Sequence, residues 1–172
     1  MLFLIFQIGQ DRYALEARHA VEVIPFVALQ KIPRAPRGLA GIFNYRGRPV
    51  PAVDLCELIP LAGPPARELL STRIIVINFT SPIPPAGVPR AGRELGLIAE
   101  HATGMMRCEA REFVSPASRM RDAGPGAEGR PYLGPVVLDE KGVIQLLHAE
   151  GLLSETMHEL IFTELSRTRD DA

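Results

Sequence analysis

Gly41-Ile42-Phe43-Asn44-Tyr45-Arg46-Gly47-Arg48-Pro49-Val50-Pro51-Ala52-Val53-Asp54-Leu55 is the stretch on which the fold turns. Apolar residues run from Ile42 to Tyr45 around Asn44, break at Arg46-Gly47-Arg48, and resume from Pro49 to Val53. Two short apolar runs about a Gly-centred polar break read as a β-hairpin turning at Gly47. Asn44 is placed to bond local backbone in that turn. Gly41 and Gly47 read as backbone necessities, Gly47 at positive φ or at a close approach. Asp54-Leu55-Cys56-Glu57 then resembles a capping box that opens a short helical turn.

The same texture extends in both directions. Leu2 to Ile8 predicts a first strand, Gly9-Gln10-Asp11-Arg12 a turn, and Tyr13-Ala14-Leu15 the opening of a second strand. Ala20 to Val27 is apolar, interrupted by Glu22 and ended or bent by Pro25. Downstream, Arg73 to Phe79 carries an unbroken Ile-Ile-Val-Ile core, and Leu95 to Ile98 predicts the next strand. Val136 to Leu138 and Val143 to Leu147 predict a hairpin through Asp139-Glu140-Lys141-Gly142. Ser154 to about Arg167 predicts a helix capped by Ser154, with Met157, Leu160, Ile161 and Leu165 on one face. Pro60 to Arg67, the proline-rich Ser81 to Arg93 and the Gly/Pro-rich Ser115 to Pro131 read as loops.

An internal echo appears at an offset of 94 residues. Leu39 and Ile42 correspond to Leu133 and Val136, while Val50, Val53 and Leu58 correspond to Ile144, Leu147 and Leu152. Each half offers strand, turn, strand and short helical turn in the same order. Short strands at this spacing predict two similar small barrels in one chain.

Composition removes several classes of function. The 172 residues are 47% hydrophobic and 23% charged, an ordinary globular mixture long enough to bury a core. Lys and Arg total 19 against 20 Asp and Glu, so no basic surface invites nucleic acid. No apolar run approaches the roughly 18–20 residues that span a bilayer. Met1 to Phe6 lacks the basic flank and cleavage site of a signal peptide, which predicts a cytoplasmic protein. Cys56 and Cys108 then read as reduced, part-buried structural thiols.

Catalytic motifs are missing. There is no Gly-x-Ser-x-Gly elbow, no base beside either cysteine and no phosphate-cradling glycine pattern. His19, His101, His148 and His158 form no metal-ligand spacing, and the acidic residues Glu22, Asp54, Glu57, Glu100 and Glu109 show no carboxylate pairing. The reading is a protein without cofactor, metal or enzymatic site, rich instead in strand edges and proline-framed loops suited to protein recognition.

The quoted stretch closely resembles the signature of CheW-like domains: Gly, two apolar or small residues, Asn, apolar, Arg, Gly, a variable pair, then Val-Pro-apolar-apolar-Asp-Leu. The resemblance continues through Phe3 to Gly9 with Tyr13-Ala14-Leu15, Val21-Glu22-Val23-Ile24, Ile32-Pro33 to Pro36, Tyr132-Leu133-Gly134 and Val143 to Leu147, ending at Leu152-Leu153. It departs in three places, one of them the Ser81 to Arg93 loop, which is unusually rich in proline. Tyr45 stands where the family usually has Leu, and His148 where Asp is common.

The resemblance implies a mainly β fold of two packed five-stranded SH3-like barrels with short helical turns and a C-terminal helix at 154–167. Approximate barrel limits are 12–66 and 67–150, with exchange of strands between them. It implies an adaptor that couples chemoreceptors to a CheA-type histidine kinase. One barrel would bind the kinase's regulatory domain, itself similar, and the groove between barrels the tip of a receptor's cytoplasmic helical hairpin. Contact with the inner membrane would be indirect, through receptor arrays. The absence of a receiver or kinase segment implies a stand-alone adaptor. A CheW-like module of a surface-sensing pathway with diguanylate cyclase output is the alternative.

By position in the signature, Arg46 is the leading candidate for partner contact. Its competing reading is a brace that pairs with Glu22 or Asp54. Glu22 is either a surface residue or a second contact, and Asn44 and Tyr45 complete the turn. Ala20, Val23 and Ile42 could line the apolar groove or be simple core. The terminal helix is expected to cover a barrel edge.

Overall fold

A computed structural model describes residues 1–59, 70–80, 92–115 and 131–170. The strands are β1 (Leu2–Ile8), β2 (Asp11–Glu16), β3 (Ala20–Pro25), β4 (Leu39–Tyr45), β5 (Arg48–Asp54), β6 (Thr72–Phe79), β7 (Arg93–Arg107), β8 (Leu133–Asp139) and β9 (Gly142–Leu147). Among the described residues there are two α-helices, α1 (Leu55–Leu58) and α2 (Glu155–Asp170), and single turns of 3-10 helix elsewhere. Most of the expected loop residues, 60–67, 81–91 and 116–130, lie outside the described residues.

The strands assemble as two five-stranded barrels. In the first, β3, β6, the front of β7, β5 and β4 are neighbours, and Gln30 bridges to Ile42. In the second, the back of β7, β1, β2, β9 and β8 are neighbours, and Val114 bridges to Val136. Membership therefore interleaves along the chain, with strands exchanged across the approximate limit near residue 66. The expected strand at Leu95 to Ile98 is one part of the 15-residue β7, which serves both barrels. At its middle the register with β1 jumps from Ile5–Gly104 to Gln7–Glu100, and His101 adopts φ 50°. That bulge bends β7 from one barrel into the other.

The sequence echo is a structural repeat. Leu39 pairs with Val53 and Leu133 with Leu147; Ile42 with Pro51 and Val136 with Gln145; Phe43 with Val50 and Val137 with Ile144. Each pair recurs 94 residues later in the same register. The two parallel contacts, β5 on β7 and β9 on β2, occupy corresponding places.

Three cores follow. Phe43, Val50, Ala52, Ile74, Val76 and Ile98 fill the first barrel, and Phe3, Ala14, Val137, Ile144 and Leu146 the second. Between them lies the largest cluster, which includes Phe6, Leu15, Val53, Ile75, Ile77, Leu97 and Leu147. The unbroken Ile-Ile-Val-Ile of β6 is explained by this arrangement. Ile74 and Val76 point into the barrel and Ile75 and Ile77 into the central core, so both faces are buried. Truncating such a residue to Ala costs about 2–5 kcal/mol.

β3 ends at Pro25 as expected, because the proline lacks the amide that would continue the ladder. Three local expectations are corrected. Asp11 and Arg12 already belong to β2, which leaves Gly9-Gln10 as the turn. The capping box does not close: Asp54 accepts from the Cys56 amide at 2.8 Å, but its own amide is taken by the Gly38 carbonyl at 2.7 Å. Glu57 accepts from the Gly38 amide instead. On α2, Leu160 is 45% exposed, and the buried stripe is Met157, His158, Ile161, Phe162 and Leu165. Ser154 does cap the helix, its hydroxyl oxygen accepting from the Met157 amide at 3.2 Å.

Candidate functional site

The signature hairpin closes through Arg46 and Gly47, flanked by the Tyr45–Arg48 pair. Both turn residues have positive φ, 51° and 79°, the geometry that matches the twist of a two-residue hairpin. Gly47 adopts it without steric cost, and a Cβ there would meet nothing within 4 Å, so the glycine serves conformation alone. Arg46 adopts it against its preference. Asn44 compensates: its Oδ1 accepts from the Gly47 amide at 2.8 Å. Gly41 is a different case, since a Cβ there would lie 2.6 Å from the Gln30 carbonyl that bridges to β4.

Alternation along β4 sends Phe43 and Tyr45 into the first barrel and Asn44 outward. The two rings meet edge-on at 6.4 Å, which leaves the Tyr45 hydroxyl at the barrel rim. There it donates to Glu22 Oε2 at 2.6 Å. The Arg46 guanidinium donates to the same oxygen at 3.0 Å and lies 5.1 Å from the centroid of the Tyr45 ring. One carboxylate oxygen thus ties β3 to the hairpin tip through a phenol and a guanidinium. The hydrogen bond to Glu22 raises the Tyr45 pKa above its ordinary value, and burial adds to this while Arg46 opposes it.

Glu22 reaches this position because β3 carries a bulge. Ala20 pairs with Ile77 and Glu22 with Val76, so Val21 has no ladder partner and is 48% exposed. Ala20, Val23 and Ile42, expected as groove or core, are part-buried against the central core between the barrels. Arg46, Glu22, Tyr45 and Asn44 therefore form one cluster, and the three apolar candidates lie apart from it.

An open groove of about 480 Å³ adjoins the cluster. It is lined by Val21, Arg48, Pro49, Asn78, Arg93 and Phe162 among others. The Arg93 guanidinium lies 4.9 Å from the centroid of the Phe162 ring on α2. Residue order carries little sign of this groove: Arg48 sits beside the signature, but nothing local links Val21, Arg93 and Phe162.

The opposite hairpin differs. Asp139, at the position repeated from Tyr45, accepts two 2.6 Å hydrogen bonds from Arg12. They pull its carboxyl down to about 2. His148 is part-buried and packs against Gly134. Cys56 and Cys108 are both unpaired and buried, and burial beside Asp54 pushes the Cys56 thiol up to about 11. Among the described residues no group of three or more His, Cys, Asp or Glu is placed to hold a metal ion.

The arrangement is an exposed polar cluster and an open groove on a double barrel. Among solved structures, the scaffolding protein TtCheW from Thermoanaerobacter tengcongensis matches with a TM-score of 0.69, covering 91% of this chain and 89% of that one. At 18% identity this is a likeness of fold. The sequence carries the assignment further. The CheW-like domain family matches residues 2–157, and the chain belongs to that family. It is 30% identical to the chemotaxis protein CheW of Klebsiella aerogenes over 131 residues, 76% of this chain and 75% of the relative. It is 26% identical to the chemotaxis protein CheW of Helicobacter pylori over 81 residues, 47% of this chain and 48% of the relative.

Proposed function

We propose that this chain is a non-catalytic adaptor of chemotaxis that couples chemoreceptors to a CheA-type histidine kinase. The observation that carries the reading is family membership across residues 2–157, with chemotaxis proteins as the matching relatives. These relatives favour chemotaxis over a surface-sensing pathway with diguanylate cyclase output. The kinase partner is its regulatory domain, and the receptor partner is the tip of a cytoplasmic helical hairpin.

The Glu22–Tyr45–Arg46 cluster is the proposed contact. Its support is geometric: Arg46 is 71% exposed on a turn whose backbone is held by Asn44 and whose guanidinium is aimed by Glu22. A preorganised planar donor loses little freedom on meeting a carboxylate or carbonyl. Coupling then follows without chemistry, because holding kinase and receptor on one rigid body lets a change in one bias the other. The protein works in the cytoplasm at receptor arrays of the inner membrane. No helix among the described residues is long and apolar enough to cross a membrane.

Calorimetric titration with the kinase regulatory domain, and separately with a receptor hairpin fragment, tests this reading. Saturable binding to both is the expected result. Arg46→Ala is expected to weaken at least one of them. Absence of binding to either partner overturns the proposal.

A further inference from the structure

Among the described side chains of α2, the second member of the buried stripe is a histidine. His158 is 6% exposed, with its ring centroid 4.6 Å from that of Phe162 and 5.7 Å from that of Phe79. Among the described residues its buried Nδ1 has no hydrogen-bond partner. A neutral imidazole tolerates such a place at a cost. An imidazolium tolerates it far less, because it carries a full charge and two donors into apolar surroundings.

The charged groups around the ring sharpen this preference. Arg93, from β7, raises the energy of a second cation, while Glu159, next along α2, partly offsets it. Phe79, from β6, brings no charge. Burial, followed by Arg93, holds the His158 pKa below its ordinary value.

We propose that His158 makes the docking of α2 sensitive to pH, so that protonation releases the helix from the first barrel. The docked state excludes the proton, whereas a released histidine titrates near its ordinary value of about 6.5. Docking is therefore strongest above that value and weakens as pH falls below it. Release would also remove one wall of the groove beside the Glu22–Tyr45–Arg46 cluster, since Phe162 and Leu165 both line it. The inference does not depend on which partner that cluster meets.

Amide hydrogen exchange across 157–165 of the full chain, from about pH 7.5 to 5.5 and corrected for intrinsic rates, tests the proposal. Wild type is expected to lose protection there severalfold on acidification, and His158→Phe to keep it. Equal loss in both proteins, or no loss in wild type, overturns the idea. If His158→Phe does not fold, the ring-proton NMR titration of wild-type His158 decides. A ring that titrates below its ordinary value as protection of α2 is lost supports release. A ring that titrates at or above that value while α2 stays protected overturns it.

Discussion

The Tyr45 hydroxyl donates a 2.6 Å hydrogen bond to Glu22, a residue 23 positions upstream on another strand, and Arg46 converges on the same carboxylate oxygen. Tyr45 is also where the chain departs from the leucine usual in its family. A leucine at this position would leave Arg46 as the sole side-chain donor of the cluster to Glu22. The phenol adds a second tie and a ring surface for the guanidinium.

Tyr45→Phe keeps the ring and deletes the tie. It is expected to lower the thermal midpoint by a few degrees and to leave the fold intact. In a double-mutant cycle with Glu22→Gln, the two losses should be less than additive, because both remove the same hydrogen bond. In wild type, spectrophotometric titration should show one tyrosine ionising above the ordinary phenol range, and Glu22→Gln should bring it back toward that range.

Arg46 separates stability from recognition. Its ion pair with Glu22 is exposed and contributes little, while its positive φ is unfavourable for a residue that carries a Cβ. Arg46→Asn should raise folding stability by up to about 1 kcal/mol in urea unfolding, since Asn suits this turn position. The same variant should bind a partner more weakly than wild type.

Gly41→Ala should be severe. The added Cβ would lie 2.6 Å from the Gln30 carbonyl, and the backbone φ of 154° disfavours a side chain. A loss of about 2 kcal/mol or more is expected, read as a lowered urea midpoint.

The Arg12–Asp139 pair sets part of the acid limit. Asp139 is held at about 2, below the ordinary carboxylate value, so the pair's contribution is complete above pH about 4. It is lost as pH falls through about 2. Arg12→Ala should cost about 1 kcal/mol at neutral pH and give a shallower decline in stability between those limits. Urea midpoints across that range check both.

Much of this was visible in residue order. The hairpin at Gly47, the Asn44 turn contact, the Ser154 cap and the 94-residue echo are local or periodic patterns, and each appears in the structure. Residue order alone allows Arg46 to be brace or contact; its bond to Glu22 supplies the brace while its exposure leaves the contact open. Leu160 misled because helical spacing identifies an apolar face without saying which neighbours meet it; Phe79 and Arg93 draw His158 and Phe162 inward instead.

The amino-acid sequence alone determined the strand-turn alphabet, the repeat and the family, because these rest on periodicity and on backbone preferences that act over a few residues. Tertiary structure decided which strands share a barrel, how β7 bends to serve both, and that Glu22 meets Tyr45 and Arg46. Those outcomes depend on contacts between distant segments. A one-residue bulge at Val21 places a carboxylate on the right rim, and no local propensity encodes that register.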